Sequence, residues 1–130
     1  KKNLKKKKKP YLKDNTLMNK KGKVPKTFKC FGTTSSAKDE LKEIFGRRDY
    51  FQTPKPLKLI KEIIRSLTTK ESIVLDYFAG SGTTGEAVIN LNKEDNGRRK
   101  FILVTNDESN ICKDVTLKRI ERLTNNFVFL

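Results

Sequence analysis

The sequence predicts an α/β fold in which parallel strands are flanked by helices, and three observations lead to this prediction. The apolar run 72–75 ends in an acid, Asp76, and a glycine-rich turn follows, as is typical of the carboxyl end of a buried parallel strand. A second apolar run at 101–104 predicts another buried strand. Residues 83–92 between them read as a helix, so the two strands are expected to run parallel through a helical crossover.

The elements before the first strand are two helices. Ser36 is the predicted N-cap of a helix over 37–45, because Asp39 and Glu40 favour its first turn and Gly46 can end it. The second helix is predicted over residues 56–67. Pro56 suits its first turn, and apolar residues then repeat at helical spacing: Leu57, Ile60, Ile63, Ile64 and Leu67.

The strands are predicted over 72–76 and 100–105, with Asn96-Gly97 as the turn before the second. A last helix is expected over 109–123, and the apolar residues 127–130 suggest the start of another strand. Two parallel strands are too few for an independent sheet, so the sheet is predicted to be incomplete and the chain to be part of a larger enzyme. The predicted divisions are a basic, disordered lead (1–23), a connecting segment with one helix (24–50) and a cofactor-binding part (51–130).

Three cofactors compete for the glycine-rich turn. Gly80 and Gly85 have the spacing of a P-loop, but Glu86 occupies the position of the phosphate-binding lysine and would repel phosphate. Residues 80–85 also fit the dinucleotide pattern GxGxxG, although Asp76 would then lie near a pyrophosphate. S-adenosylmethionine explains the acid best, since this ligand carries an ammonium and a sulfonium and no phosphate.

The loop also carries a family resemblance. Residues 73–84 contain Asp76-x-Phe78-x-Gly80-x-Gly82, which resembles the cofactor motif of beta-class amino-methylating DNA methyltransferases, in particular Mod subunits of type III restriction–modification systems. Residues 51–60 and 90–104 resemble the segments on either side of that motif. The resemblance implies a partial Rossmann-like S-adenosylmethionine-dependent methyltransferase fold. It further implies a C-terminal fragment of an adenine-N6-specific DNA methyltransferase.

Site residues follow from the resemblance. The methionine portion of S-adenosylmethionine is expected to contact the loop residues Asp76, Phe78, Ala79, Gly80, Ser81, Gly82, Thr83 and Thr84. Lys55 and Pro56 are expected to help enclose it. Asp107, with Glu108 as second choice, follows the second strand and is expected to bind the ribose; the alternative is that Asp107 or a neighbouring residue caps the next helix.

No catalytic residue is predicted. The family's catalytic motif is Asp/Asn-Pro-Pro followed by an aromatic residue, and only Thr53-Pro54-Lys55-Pro56 faintly resembles it, with a lysine between the prolines. The chain alone is therefore expected to be inactive. Two alternatives stay open at this stage: a fragment of a nicotinamide (NAD-type) oxidoreductase, and a non-enzymatic basic nucleic-acid-binding remnant.

The charge of the chain predicts its partners. The formal net charge of the chain is +15, and most of it comes from residues 1–30, which contain thirteen lysines and one acid. Lysines 5–9 are consecutive. Such a tract can neutralise phosphates without reading bases, which predicts DNA as a partner; a solvated tail is the alternative. The resemblance adds the N-terminal half of the methyltransferase and a restriction (Res) subunit.

The sequence disfavours histidine-based catalysis, a metal site and a membrane-spanning helix. The chain has no histidine, and its two cysteines, Cys30 and Cys112, lie far apart without metal-ligand spacing. They are expected to be reduced, which fits a cytoplasmic protein. No apolar run approaches the length of a membrane-spanning helix.

Overall fold

Two parallel strands and their flanking helices form the part of the chain that the computed structural model describes, residues 31–130. In chain order the regular elements are α1 (Thr34–Phe45), α2 (Leu57–Leu67), β1 (Ile73–Asp76), α3 (Thr83–Asp95), β2 (Lys100–Leu103), a 3₁₀ turn (Glu108–Asn110), a π-helix (Ile111–Leu117) and α4 (Lys118–Glu121). The predicted α/β alternation and the parallel strand pair are confirmed. The predicted lead 1–23 and Cys30 lie outside the described residues.

One face of the sheet carries the hydrophobic core. Val74 of β1 pairs with Phe101 of β2, and both side chains point towards α2 and α3. The buried residues they meet come from those two helices: Ile64, Ala87, Val88 and Leu91. The helical spacing read from α2 marks this packed face only in part, because Leu57, Ile60 and Ile64 lie in the core whereas Ile63 and Leu67 are 45% and 69% exposed.

The opposite face of the sheet is uncovered within the described residues. Ile73, Leu75 and Ile102 alternate with the core residues and are 63%, 48% and 52% exposed. Parallel sheets are normally covered on both faces. The described residues thus form two layers, the sheet and, on one side of it, the helices α2 and α3.

The capping of α1 differs from the prediction. Thr33, not Ser36, is the N-cap: its hydroxyl accepts the Ser36 N–H at 3.2 Å, and the Ser36 hydroxyl accepts the Thr33 N–H at 2.9 Å. This reciprocal capping box starts the helix three residues earlier than predicted, so Asp39 and Glu40 lie beyond its first turn. Gly46 ends the helix in the left-handed conformation (φ 83°), as predicted.

Glu40 has a different use from the one predicted. Pro56 is the N-cap of α2 and has no side chain to bond the free N–H groups of the first turn. The Glu40 carboxylate of α1 accepts the Leu57 N–H at 3.1 Å instead. Burial raises the pKa of Glu40 above its usual value of 4.5, partly offset by the Leu57 N–H and by the nearby Arg119 guanidinium.

Further differences concern the second half of the chain. The helix α3 continues to Asp95, three residues further than predicted, and ends at Asn96 in the left-handed conformation. The predicted last helix is divided into three parts, of which the longest is the π-helix Ile111–Leu117. Residues 127–130 are not a strand, so that prediction is wrong; among residues 31–130 they have no strand partner.

Among residues 31–130, no helix is long and apolar enough to cross a membrane. No group of acidic or cysteine side chains in this part of the chain is arranged to hold a metal ion.

The close packing of α3 on the sheet depends on Gly85. A Cβ at this position would lie 2.6 Å from Cδ1 of Ile120, 3.0 Å from Cδ1 of Leu103 and 3.4 Å from a ring carbon of Phe101. Glycine is therefore required for close helix–strand packing, which is the role of the third glycine in loops of this spacing.

We predict that Gly85→Ala lowers the free energy of unfolding by about 1 kcal/mol, because overpacking outweighs the better helix propensity of alanine. Ile120→Val removes the methyl group that the new Cβ would meet. In a denaturant-unfolding double-mutant cycle, the two substitutions together should therefore cost less than the sum of the single losses. Strictly additive losses would contradict this account.

We predict that Glu40→Gln gains stability relative to the wild type as the pH rises. The native carboxyl holds its proton to a higher pH than the unfolded one, so its contribution to stability is present below pH 4.5 and is lost as the pH rises through the raised native pKa. Glutamine mimics the protonated form and keeps an acceptor for Leu57. The measurement is the difference in Tm between variant and wild type from pH 4 to pH 7.

Glu40→Ala is the control for the hydrogen bond itself. It removes the acceptor and should cost about 1 kcal/mol, the usual effect of losing an N-cap. A Tm difference between Glu40→Gln and the wild type that stays constant with pH would contradict the prediction.

Candidate functional site

The glycine-rich loop lies at the carboxyl end of β1, as predicted, and is joined to the end of β2. The strand register places Asp76 beside Leu103. The Val104 N–H donates to the Asp76 carbonyl at 2.8 Å, and the Ala79 N–H donates to the Val104 carbonyl at 3.1 Å. These two backbone hydrogen bonds fix the start of the loop to the residue that follows β2.

The Asp76 carboxylate is half-buried and organises the start of the loop. Its Oδ1 accepts the Phe78 N–H at 3.0 Å, and its Oδ2 accepts the Thr84 hydroxyl at 2.6 Å. An ionised carboxylate has about four lone-pair sites, so both oxygens keep capacity for a further donor. Asp76 thus holds a negative charge in a fixed orientation at the strand tip.

Two glycines of the loop adopt left-handed conformations. Gly80 has φ 50° and Gly82 has φ 75°, where a side chain would be strained. A Cβ at Gly80 would lie 3.1 Å from Cζ of Phe51, and one at Gly82 would lie 3.3 Å from Cγ2 of Thr116. The glycines are therefore needed for close packing against the chain's own residues on both sides of the loop.

The side chains of Ser81 and Thr83 point into the protein. Both residues are buried at 4% exposure, and their hydroxyl oxygens lie 3.1 Å apart. Of the predicted cofactor residues in the loop, these two can face a ligand only with their backbone. Phe78, in contrast, is 92% exposed.

Arg119 is the residue that sequence reasoning missed. Its Nε donates to the Glu86 carboxylate at 2.5 Å, and its Nη1 bonds the Ser81 and Thr83 side chains. The signal was present in Glu86, since an acid near the start of a buried helix demands a cationic partner. Arg119 follows Val115 by four residues and so lies on the same buried face of the last helical segment.

The π-helix contributes a second contact to the loop. Thr116 donates its hydroxyl proton to the Gly80 carbonyl at 2.5 Å. Two consecutive residues before this helix, Ser109 and Asn110, have φ 56°. π-helical turns are frequent at functional sites, and here Thr116, near the end of the π-helix, contacts the loop.

Asp107 is exposed and lies in the segment that follows β2. It occupies the N-cap position of the 3₁₀ turn but makes no side-chain capping bond, so the capping alternative is wrong. Its carboxylate lies 3.6 Å from the Lys113 ammonium. Glu108 accepts a bond from the Asn106 side chain at 3.2 Å. The ribose role of Asp107 stays a prediction.

The Lys55 backbone lies against the start of α3, and Pro56 follows it in the chain. The Thr83 hydroxyl reaches the Lys55 carbonyl at 3.5 Å, and Pro56 is buried while Lys55 is exposed. The segment before α2 and the glycine loop are thus neighbours, as the prediction required. Two surface depressions elsewhere, one near Arg48 and one near Lys61, are lined by no residue of the loop.

Comparison with known proteins gives a family. The sequence model for N6/N4 methyltransferases, described as DNA methylase, matches residues 1–117. The chain is 48% identical over 88 residues to the type III restriction–modification enzyme EcoPI Mod subunit of Escherichia phage P1, covering 66% of this chain and 14% of that protein.

Two further relatives agree. The StyLTI Mod subunit of Salmonella typhimurium is 48% identical over 77 residues, which is 59% of this chain and 12% of that subunit. The type II methyltransferase M.KpnI of Klebsiella pneumoniae is 37% identical over 106 residues, which is 72% of this chain and 25% of that enzyme. The chain thus spans a quarter or less of each of these relatives.

Proposed function

The chain belongs to the DNA methylase family, and we propose that its loop between β1 and α3 binds S-adenosylmethionine. The observation that carries the proposal is Asp76. Its carboxylate is fixed at the strand tip with lone pairs remaining on both oxygens. A ligand with an ammonium and a sulfonium is attracted to such a group, whereas a pyrophosphate is repelled.

The charges behind the loop support the same choice of ligand. Glu86 stands where a P-loop has its lysine, and its charge is paired with Arg119. The buried pair is neutral as a whole, so the loop offers no free cation to a phosphate from beneath. Within the loop, the exposed Phe78 ring offers an aromatic face that attracts cations.

The residues proposed to contact the cofactor surround this strand tip. The set consists of Asp76, Phe78, Ala79, Gly80, Ser81, Gly82, Thr83 and Thr84 in the loop, Lys55 and Pro56 before α2, and Asp107 after β2. Ser81 and Thr83 would contribute their backbone, since their hydroxyl groups are bonded within the protein. When bound, S-adenosylmethionine supplies an electrophilic methyl group.

We further propose that the chain supplies the cofactor-binding part of a site-specific adenine-N6 DNA methyltransferase of the type III Mod kind. The similarity to two Mod subunits supports this choice. An Asp/Asn-Pro-Pro-aromatic motif is absent from the 130 residues, so methyl transfer requires the catalytic half of such an enzyme as a partner. A Res subunit is the further partner that a Mod protein implies.

The family match gives no support to the nicotinamide oxidoreductase alternative. The other alternative, a non-enzymatic basic remnant, predicts a different binding result: such a chain would bind nucleic acid but would not bind S-adenosylmethionine.

We predict that Asp76→Asn weakens S-adenosylmethionine binding by about tenfold or more, the value of one charge-assisted interaction. Asparagine keeps an oxygen for the Phe78 N–H, and the Thr84 hydroxyl can accept from its amide, so the loop should keep its shape while the charge is lost. Isothermal titration of the full chain with S-adenosylmethionine, and separately with NAD, provides the measurement.

Glu71→Gln is the matched control. Glu71 is an exposed acid that precedes β1, at the opposite end of the strand from Asp76, and its replacement should leave the affinity unchanged. Equal affinity of Asp76→Asn and wild type, or tighter binding of NAD, would refute the proposed site. Absence of cofactor binding by the wild type would favour the basic remnant.

We predict that replacing lysines 5–9 by glutamine flattens the salt dependence of DNA binding. Each phosphate contact contributes about 0.9 to the magnitude of the slope of log K against log salt concentration, so the loss of five lysines should reduce the slope by up to about 4.5. Fluorescence anisotropy on two duplexes of unrelated sequence gives the slopes, which should change equally. Asp76→Asn should bind DNA like the wild type, and an unchanged slope would show that the lysines make no phosphate contacts.

A further inference from the structure

Arg119 is 1% exposed, and its hydrogen bonds reach Glu86 and the glycine loop. We propose that Arg119 is the positioning residue of the loop, and that it sets the affinity for S-adenosylmethionine without touching the ligand. The affinity part of this proposal rests on the proposed function of the loop, whereas the positioning part stands on the contacts alone.

Three acceptors, two in the loop and one on the first residue of α3, share the two N–H groups of one guanidinium nitrogen. Nη1 donates to the Ser81 carbonyl at 3.2 Å, to the Ser81 hydroxyl at 3.3 Å and to the Thr83 hydroxyl at 3.1 Å. Nε is used for Glu86 on α3. A planar fork with several donors can serve these directions together, whereas a lysine ammonium at the same place is a single point.

These bonds determine which way the loop peptides face. Thr116 holds the Gly80 carbonyl and Arg119 holds the Ser81 carbonyl, both from the last helical segment. In a trans peptide the N–H points opposite to the carbonyl, so the Ser81 N–H is directed away from Thr116. Within residues 31–130 that N–H has no acceptor, so an acceptor on the ligand would satisfy it.

Stability alone is a weak reason for this ion pair. A buried salt bridge costs so much desolvation that well-packed apolar residues are often as stable in its place. Apart from Glu86, the groups that Arg119 bonds all belong to the loop. Its contacts therefore restrict the loop conformation, and Glu86 cancels the positive charge that would otherwise repel a cationic ligand.

The test compares two buried arginines in the full chain. Arg99 is also buried and forms a double hydrogen bond with Asp95, but it lies at the start of β2, at the end of the sheet opposite the loop. Arg119→Lys and Arg99→Lys each keep a charge and lose the fork. Circular dichroism monitors folding, titration with S-adenosylmethionine gives the affinity, and amide hydrogen exchange reports on residues 79–84.

We expect Arg119→Lys to fold, to exchange faster in the loop and to bind S-adenosylmethionine about tenfold more weakly, which corresponds to one lost charge-assisted hydrogen bond. Arg99→Lys should leave loop exchange and affinity as in the wild type. If Arg119→Lys does not fold, Thr83→Val removes one acceptor of the same guanidinium without unpairing a charge and should still speed loop exchange.

Two results would overturn the role of Arg119: native loop exchange in a folded Arg119→Lys, or equal loss of loop protection in Arg99→Lys. Absence of S-adenosylmethionine binding by the wild type would instead overturn the proposed cofactor, because loop exchange is measured without ligand. The two failures are therefore distinguishable.

Discussion

The buried ion pair between Arg119 and Glu86 is the interaction on which the rest of the site depends. It joins the helix after β2 to the first turn of α3, and the glycine loop lies between these two elements. A cation and an anion withdrawn from water must satisfy each other and find further partners. The further partners of Arg119 are the loop carbonyl and hydroxyl groups, so the requirement to satisfy a buried charge determines the loop conformation.

The same constraint explains the composition of the loop. Ser81 and Thr83 supply the hydroxyl groups that a buried guanidinium needs, and Gly82 between them leaves room for Thr116. Gly85 lets α3 approach β2 closely enough for Glu86 to be buried. Residue types that a motif search assigns to the ligand therefore also have a structural task, which they perform on the side of the loop that faces the protein.

The local part of this structure was predictable from the sequence, and the distant part was not. Strand and helix positions follow from the spacing of apolar residues and from Pro56 and Gly46, which mark helix ends. These signals depend only on residues that are close together in the chain. Arg119 meets its partners across more than thirty positions, and no periodicity reports such a contact. Thr33 and Ser36 are both good caps, so sequence alone could not choose between them. The π-helix differs from the predicted α-helix in its backbone hydrogen bonds, which run between residues i and i+5, and apolar spacing does not report this difference.

A comparison of the two buried arginines shows how the framework and the site are separated. Arg99 bonds Asp95 and the Thr68 hydroxyl and so ties the ends of α2 and α3 to the start of β2. At the other end of the sheet, Arg119 connects α4 to Glu86 of α3 and to the Ser81 carbonyl of the loop. The acid proposed to face the ligand, Asp76, bonds neither arginine, and within residues 31–130 its carboxylate is held by neutral donors, an N–H and a hydroxyl. Its negative charge is therefore oriented by the loop and left without a cationic partner in residues 31–130, which is what the proposed binding of a cationic methyl donor requires.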